Sequence, residues 1–157
     1  MTTIEAKKIG RKKTFKATLV LLAILLLLLM VSETRGDFAN GILFFIRGVV
    51  NIHALIILLI LFGSTYLFGG QAGEEILMEK KNVLLVVLKY VPIISLALCF
   101  YAMAVDLLRA GAFDFNEFKI QATSFYIPLF AKTAFSLFLA WLWATTRIKA
   151  VGNRIVE

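Results

Sequence analysis

The sequence predicts an all-α integral membrane protein. Four transmembrane helices are expected, with short interfacial helices on the outer side and both termini cytoplasmic. Three observations carry this. The 157 residues are 61% hydrophobic with a mean hydropathy of +0.89, whereas a soluble domain is about 45–50% apolar. The apolar residues are gathered into four long blocks without the period-two alternation of a β-barrel strand. The basic residues, finally, flank the blocks unevenly. Only short connectors remain between the blocks, so residues 1–157 read as a single membrane domain.

Residues 1–16 form a basic cytoplasmic segment that holds six of the seventeen basic residues: Lys7, Lys8, Arg11, Lys12, Lys13 and Lys16. Beside an apolar block such a segment is first a topology signal. It also predicts attraction to anionic lipid headgroups, at about 1 kcal/mol per basic residue near the surface. Nucleic-acid binding is not expected, because Phe15 is the segment's sole aromatic platform. The first span is placed at about 17–32. Its Leu-rich block follows charge as in a signal peptide, but Val31-Ser32-Glu33-Thr34 offers no small-x-small cleavage site, so a retained helix is expected. Arg35-Gly36-Asp37 then reads as a plain turn.

The run from 38 to 68 is almost unbroken apolar sequence, interrupted by Arg47, Asn51 and His53. As one straight helix it would be about 46 Å long, against a hydrocarbon core of about 30 Å. An outer interfacial segment at 38–47 and a break near Gly48 leave a second span at about 48–68. Gly69, Gly70 and Gly73 are read as its end, and Glu74-Glu75 as the acidic first turn of a third helix that closes on Arg109-Ala110-Gly111. The apolar part of that helix, 83–105, spans, with a kink expected at Pro92.

Asp114 followed by Glu117 resembles a capping box, and Phe115, Phe118, Ala122 and Phe125 recur at helical spacing. A second outer interfacial segment is therefore expected at 114–127, ended by Pro128. The fourth span is placed at about 129–146, with Trp141 and Trp143 at the inner headgroup level and Arg147 and Lys149 beyond. The basic first segment, the basic tail and the Lys80-Lys81 connector all fit a cytoplasmic side. A plasma membrane is the expected location, the inner one in a bacterium.

Polar residues within or next to the spans are few, and intramembrane ionisable groups are functional candidates. Lys89, about 9 Å from its helix end, and Lys132, about one turn from its own, can snorkel to headgroups. The candidate polar site is therefore Arg47, Asn51, His53 and Asp106 in the outer half. Antiparallel packing would put Arg47 level with Asp106 and allow a bidentate pair. Two seams of small or polar residues suit close helix packing: Ser95, Cys99 and Ala102 on the third span, and Ser136, Ala140 and Ala144 on the fourth.

Cys99 and His53 are each the sole residue of their type, so neither a metal cage nor a cofactor is expected. HExxH, GxSxG, GxGxxG and P-loop patterns are absent from the sequence, and no catalysis is expected. The expected role is that of a small non-catalytic membrane subunit. It would assemble with itself, or with other membrane or cytoplasmic proteins, as a structural, anchoring or signal-relaying component. One alternative is a small oligomeric channel or transporter subunit for an anion or proton, with an outer polar vestibule. Another is a membrane sensor coupled to a cytoplasmic effector.

Overall fold

A computed structural model describes residues 1–34, 51–110 and 115–156. The chain is all-helical over these residues. The helices are α1 (Thr3–Thr34), α2 (Ile52–Leu77), α3 (Val83–Ala110), α4 (Phe115–Gln121) and α5 (Ile127–Val156). A π-helical turn, Ala122–Tyr126, joins α4 to α5. Among the described residues three stretches are long and apolar enough to cross a membrane: Ile52–Leu77, Val83–Leu108 and Phe118–Asn153. The interfacial segment expected at 38–47, the bend near Gly48 and Arg47 itself lie outside the described residues.

The first helix starts far earlier than expected. Thr2 Oγ1 accepts from the Glu5 amide (3.3 Å), and Glu5 Oε2 accepts from the Thr2 amide (2.8 Å). This is a capping box, which satisfies two orphan donors and makes the basic segment the first turns of α1. The Thr2 hydrogen bonds hold the Glu5 carboxyl below the usual carboxylate range. The cap is therefore complete above that range and is lost as pH falls through the lowered value.

The basic half of α1 is a packing element as well as a charge carrier. Its buried stripe is Ala6, Gly10, Thr14 and Thr18, four residues apart. It meets a matching stripe of α2: Thr65, Gly69 and Gly73. A Cβ on Gly10 would run into the Gly69 carbonyl and lie 2.7 Å from Gly73 Cα, and one on Gly69 would run into Thr14 Oγ1. The backbones touch there, as small-xxx-small faces permit. Thr14 Oγ1 donates back to the Gly10 carbonyl (2.9 Å), while the Thr18 and Thr65 hydroxyls bond across the seam at 3.4 Å. Arg11 lies over the Tyr66 ring, 4.4 Å from its centroid, and donates to its hydroxyl.

This seam corrects the expected end of the second span. Gly69, Gly70 and Gly73 lie inside α2, and Glu74-Glu75 belong to its last turn. Asn82 starts α3 instead, accepting from the Leu84 amide at 2.9 Å. The turn between them contains Lys80 at φ 51°, the one non-glycine in the left-handed region among the described residues.

The expected break at Pro128 is also corrected, since helix runs from Phe115 to Val156. The proline ring would crowd the Ser124 carbonyl one turn back. That carbonyl lies in the π turn, where the Ile127 amide reaches back to the Ala122 carbonyl. The wider turn absorbs the clash without ending the helix.

α1 packs mainly on α2 and also on α5, while α3 packs on α5 and α2. The core between them holds Val86, Val87 and Ile94 of α3 with Trp141 and Ile148 of α5. Trp141 is fully buried, 6.2 Å from the Tyr90 ring, and so faces the core of the bundle. Trp143 is exposed beneath Arg147, a position an interfacial tryptophan can occupy.

Candidate functional site

Of the expected outer site, the described residues Asn51, His53 and Asp106 each engage a different neighbour. Asn51 is the N-cap of α2, its side chain accepting from the His53 amide at 3.1 Å. His53 is half-buried, with Nδ1 2.9 Å from the Tyr101 hydroxyl of α3. Asp106 instead accepts from Tyr126 of the π turn at 2.9 Å. Tyr101 and Asp106 are five residues apart, about 140° around the helix. The two pairs therefore tie α3 in different directions, one to α2 and one to the π turn. Tyr101→Phe is expected to cost about 1 kcal/mol, the worth of one partly buried hydrogen bond. A lowered melting temperature in mild detergent would register it.

The seam residues divide by depth. Ser95 and Ala144 are fully buried, whereas Cys99, Ala102, Ser136 and Ala140 are half-buried. Cys99 opens on an apolar groove of about 320 Å³ shared with Phe100, Met103, Tyr126 and Phe130. Lys132 is on the exposed face of α5.

A denser polar site lies at the opposite end of the bundle, around Glu75. Only 8% of this residue is exposed. Its Oε1 accepts from the Lys89 ammonium at 2.5 Å and from the buried Tyr90 hydroxyl at 2.6 Å. Its Oε2 faces Lys81 at 3.5 Å, and Lys81 also pairs with Glu79 at 2.7 Å. Glu79 holds the Lys81 ammonium above the usual lysine range, so that contact persists until pH rises through the raised value. The neighbouring Glu74 binds Lys7 of α1 at 3.1 Å. Two adjacent carboxylates thus tie α2 to α3 and to α1.

Lys89 therefore does not simply snorkel to headgroups; it reaches a carboxylate. The cluster was hidden in the sequence because Glu75 read as the start of the third helix. The signal was available in the hairpin itself. Once Asn82 is taken as the cap of α3, Glu75 and Lys89 fall on antiparallel neighbours near the same turn. A carboxylate engaged by a phenol and two ammonium groups is a fixed charge lock, with its lone pairs satisfied.

Among the described residues no group of three or more histidine, cysteine and acidic side chains could hold a metal ion. Comparison of the chain with protein-family models, curated proteins and solved structures finds no match.

Proposed function

We propose that this chain is a small non-catalytic membrane protein that works by assembly. In this reading four helices cross the bilayer and both termini are cytoplasmic. The protein sits in the plasma membrane, the inner one in a bacterium, and partners itself or other subunits as a structural or anchoring component. The observation that carries the reading is that the carboxylates of Glu75 and Asp106 are engaged within the chain. Glu75 is spent on Lys89, Lys81 and Tyr90, and Asp106 is bonded by Tyr126. Outward, the helices present large apolar side chains such as Leu28, Leu59, Leu85, Phe100 and Phe135, the surface a bilayer solvates.

The charge supports the orientation. The segments at the Glu75 end (1–16, 74–89 and 147–157) hold twelve of the seventeen basic residues and five of the ten acidic ones. The remainder of the chain holds five of each sign, so the whole formal charge of +7 belongs to one end. A channel with an outer vestibule draws less support, because Asn51 is used as a cap and His53 and Asp106 face different neighbours.

Half-open Ser136 and Ala140, one turn apart on α5, give the face on which another helix can approach closely. Ala144 belongs to the chain's own core and is no assembly probe. Native mass spectrometry of protein released from membranes in mild detergent is the test. A complex larger than one chain is expected, weakened in Ala140→Leu while the melting temperature changes little. A monomer without partner under gentle extraction would overturn the reading.

A further inference from the structure

An open cleft of about 580 Å³ lies where the end of α2 and the 78–82 turn meet the last turns of α5. It is lined by Leu77, Lys80, Lys81, Lys149, Gly152 and Asn153. Its volume is that of a small-molecule pocket. Gly152 brings the two helices close, since a Cβ there would sit 2.8 Å from Leu77 Cδ2.

The three ammonium groups are not equivalent. Lys81 is already engaged by Glu79 and Glu75. Lys80 and Lys149 form no ion pair among the described residues. Cations just beyond a helix C-terminus are ordinary partners of the helix dipole, which accounts for Lys80 following α2. It does not account for Lys149, which precedes the end of α5 at Val156 by about two turns.

The conformation of Lys80 is the second observation. The Lys81 amide reaches back to the Glu75 carbonyl at 3.0 Å, closing the turn after α2, and within that turn Lys80 lies in the left-handed region at φ 51°. Glycine takes that position without steric cost, and a side chain there is strained. The chain places a lysine there, beside a cleft that also holds Lys149, which forms no ion pair among the described residues. Strain retained at a polar cleft points to a ligand.

We propose that this cleft binds a phosphate group, with Lys80 and Lys149 as its cations and the Asn153 amide as a further donor. Lysine is a common phosphate partner. The group can be a phospholipid headgroup entering from the bilayer surface or a free phosphate from the adjoining solution. The site is separate from the assembly reading and does not depend on it. It also differs from diffuse attraction of lipid to the amino-terminal lysines, because it needs two named residues on other elements.

The test uses the full chain in mild detergent and two probes. Native mass spectrometry measures retention of phosphatidylglycerol against phosphatidylcholine, and isothermal titration measures inorganic phosphate at constant ionic strength. Wild type is compared with Lys80→Gln/Lys149→Gln and with Lys8→Gln/Lys12→Gln, which removes equal charge from exposed positions of α1. Loss of both cleft cations is expected to weaken binding of either probe about tenfold or more, and clearly more than the α1 control does. Lys80→Gly separates binding from folding: it should raise the melting temperature by relieving the strained backbone, yet weaken phosphate binding. Binding of both probes through Lys80 and Lys149 means that phosphate alone suffices. Retention of phosphatidylglycerol alone, with the same dependence, assigns the site to lipid. Binding unchanged in the cleft variant, equal loss in the α1 control, or no binding of either probe would overturn the proposal.

Discussion

Gly10→Leu is expected to separate α1 from α2 and to leave a protein that melts far below wild type or is degraded. The new side chain has no cavity to enter, because its first carbon already collides with the Gly69 carbonyl and crowds Gly73. Overpacking among mobile side chains costs about 1–3 kcal/mol. Here the obstruction is backbone on both sides, so a loss of about 3 kcal/mol or more is expected. Gly73→Leu should behave alike, since its Cβ would strike the Ala6 carbonyl. Gly63 is the internal control on the same helix, where an added Cβ meets nothing within 4 Å. Gly63→Ala should be neutral or stabilising by up to about 1 kcal/mol, the helix-propensity gain. Thermal melts in one detergent give all three. A Gly10→Leu protein as stable as wild type would mean that α1 and α2 do not touch along this seam.

The second large effect is expected at Glu75. Glu75→Leu strands the buried Tyr90 hydroxyl and leaves Lys89 and Lys81 without their shared anion. About 2–3 kcal/mol should be lost. Glu75→Gln keeps an acceptor for Tyr90 and should cost less. Lys89→Met should be the mildest, since the Lys89 side chain is 53% exposed and Tyr90 and Lys81 still satisfy the carboxylate. This order, leucine worst and Lys89→Met least, distinguishes a buried lock from a surface ion pair. Equal small losses for all three would contradict it.

The helices were legible in the sequence as long apolar blocks, and the basic end was legible as charge. The seams that hold α1 to α2 were not. Glycine after an apolar run is ordinarily a stop signal, and acidic residues next to it ordinarily mark a start. Gly69-Gly70 and Glu74-Glu75 satisfied both rules while serving neither. The competing signal was the four-residue period of Ala6, Gly10, Thr14 and Thr18 against Thr65, Gly69 and Gly73, which a reading by local boundary chemistry overlooks. Thr2 and Glu5 likewise spell a capping box that would have moved the start of α1. Pro128 misled because proline marks a helix boundary more often than a π turn that absorbs it.

For the candidate site, single residues were visible but their partners were not. His53 and Asp106 stood out as rare polar groups, whereas Tyr101 and Tyr126 looked like ordinary aromatics. Glu75 was assigned to the wrong helix and so lost its partners. Which tyrosine faces which polar group depends on helix rotation, and one-dimensional periodicity leaves rotation relative to a neighbour open.

The central claim is a bundle crossing the membrane with its basic end in the cytoplasm. Single cysteines at Lys8, Glu79, Asn153 and Asn116, in a Cys99→Ser background, test it through labelling of intact cells by a membrane-impermeant maleimide. The first three should label only after permeabilisation, and Asn116→Cys should label from outside. Labelling of Glu79→Cys and Asn116→Cys from the same side would contradict the account.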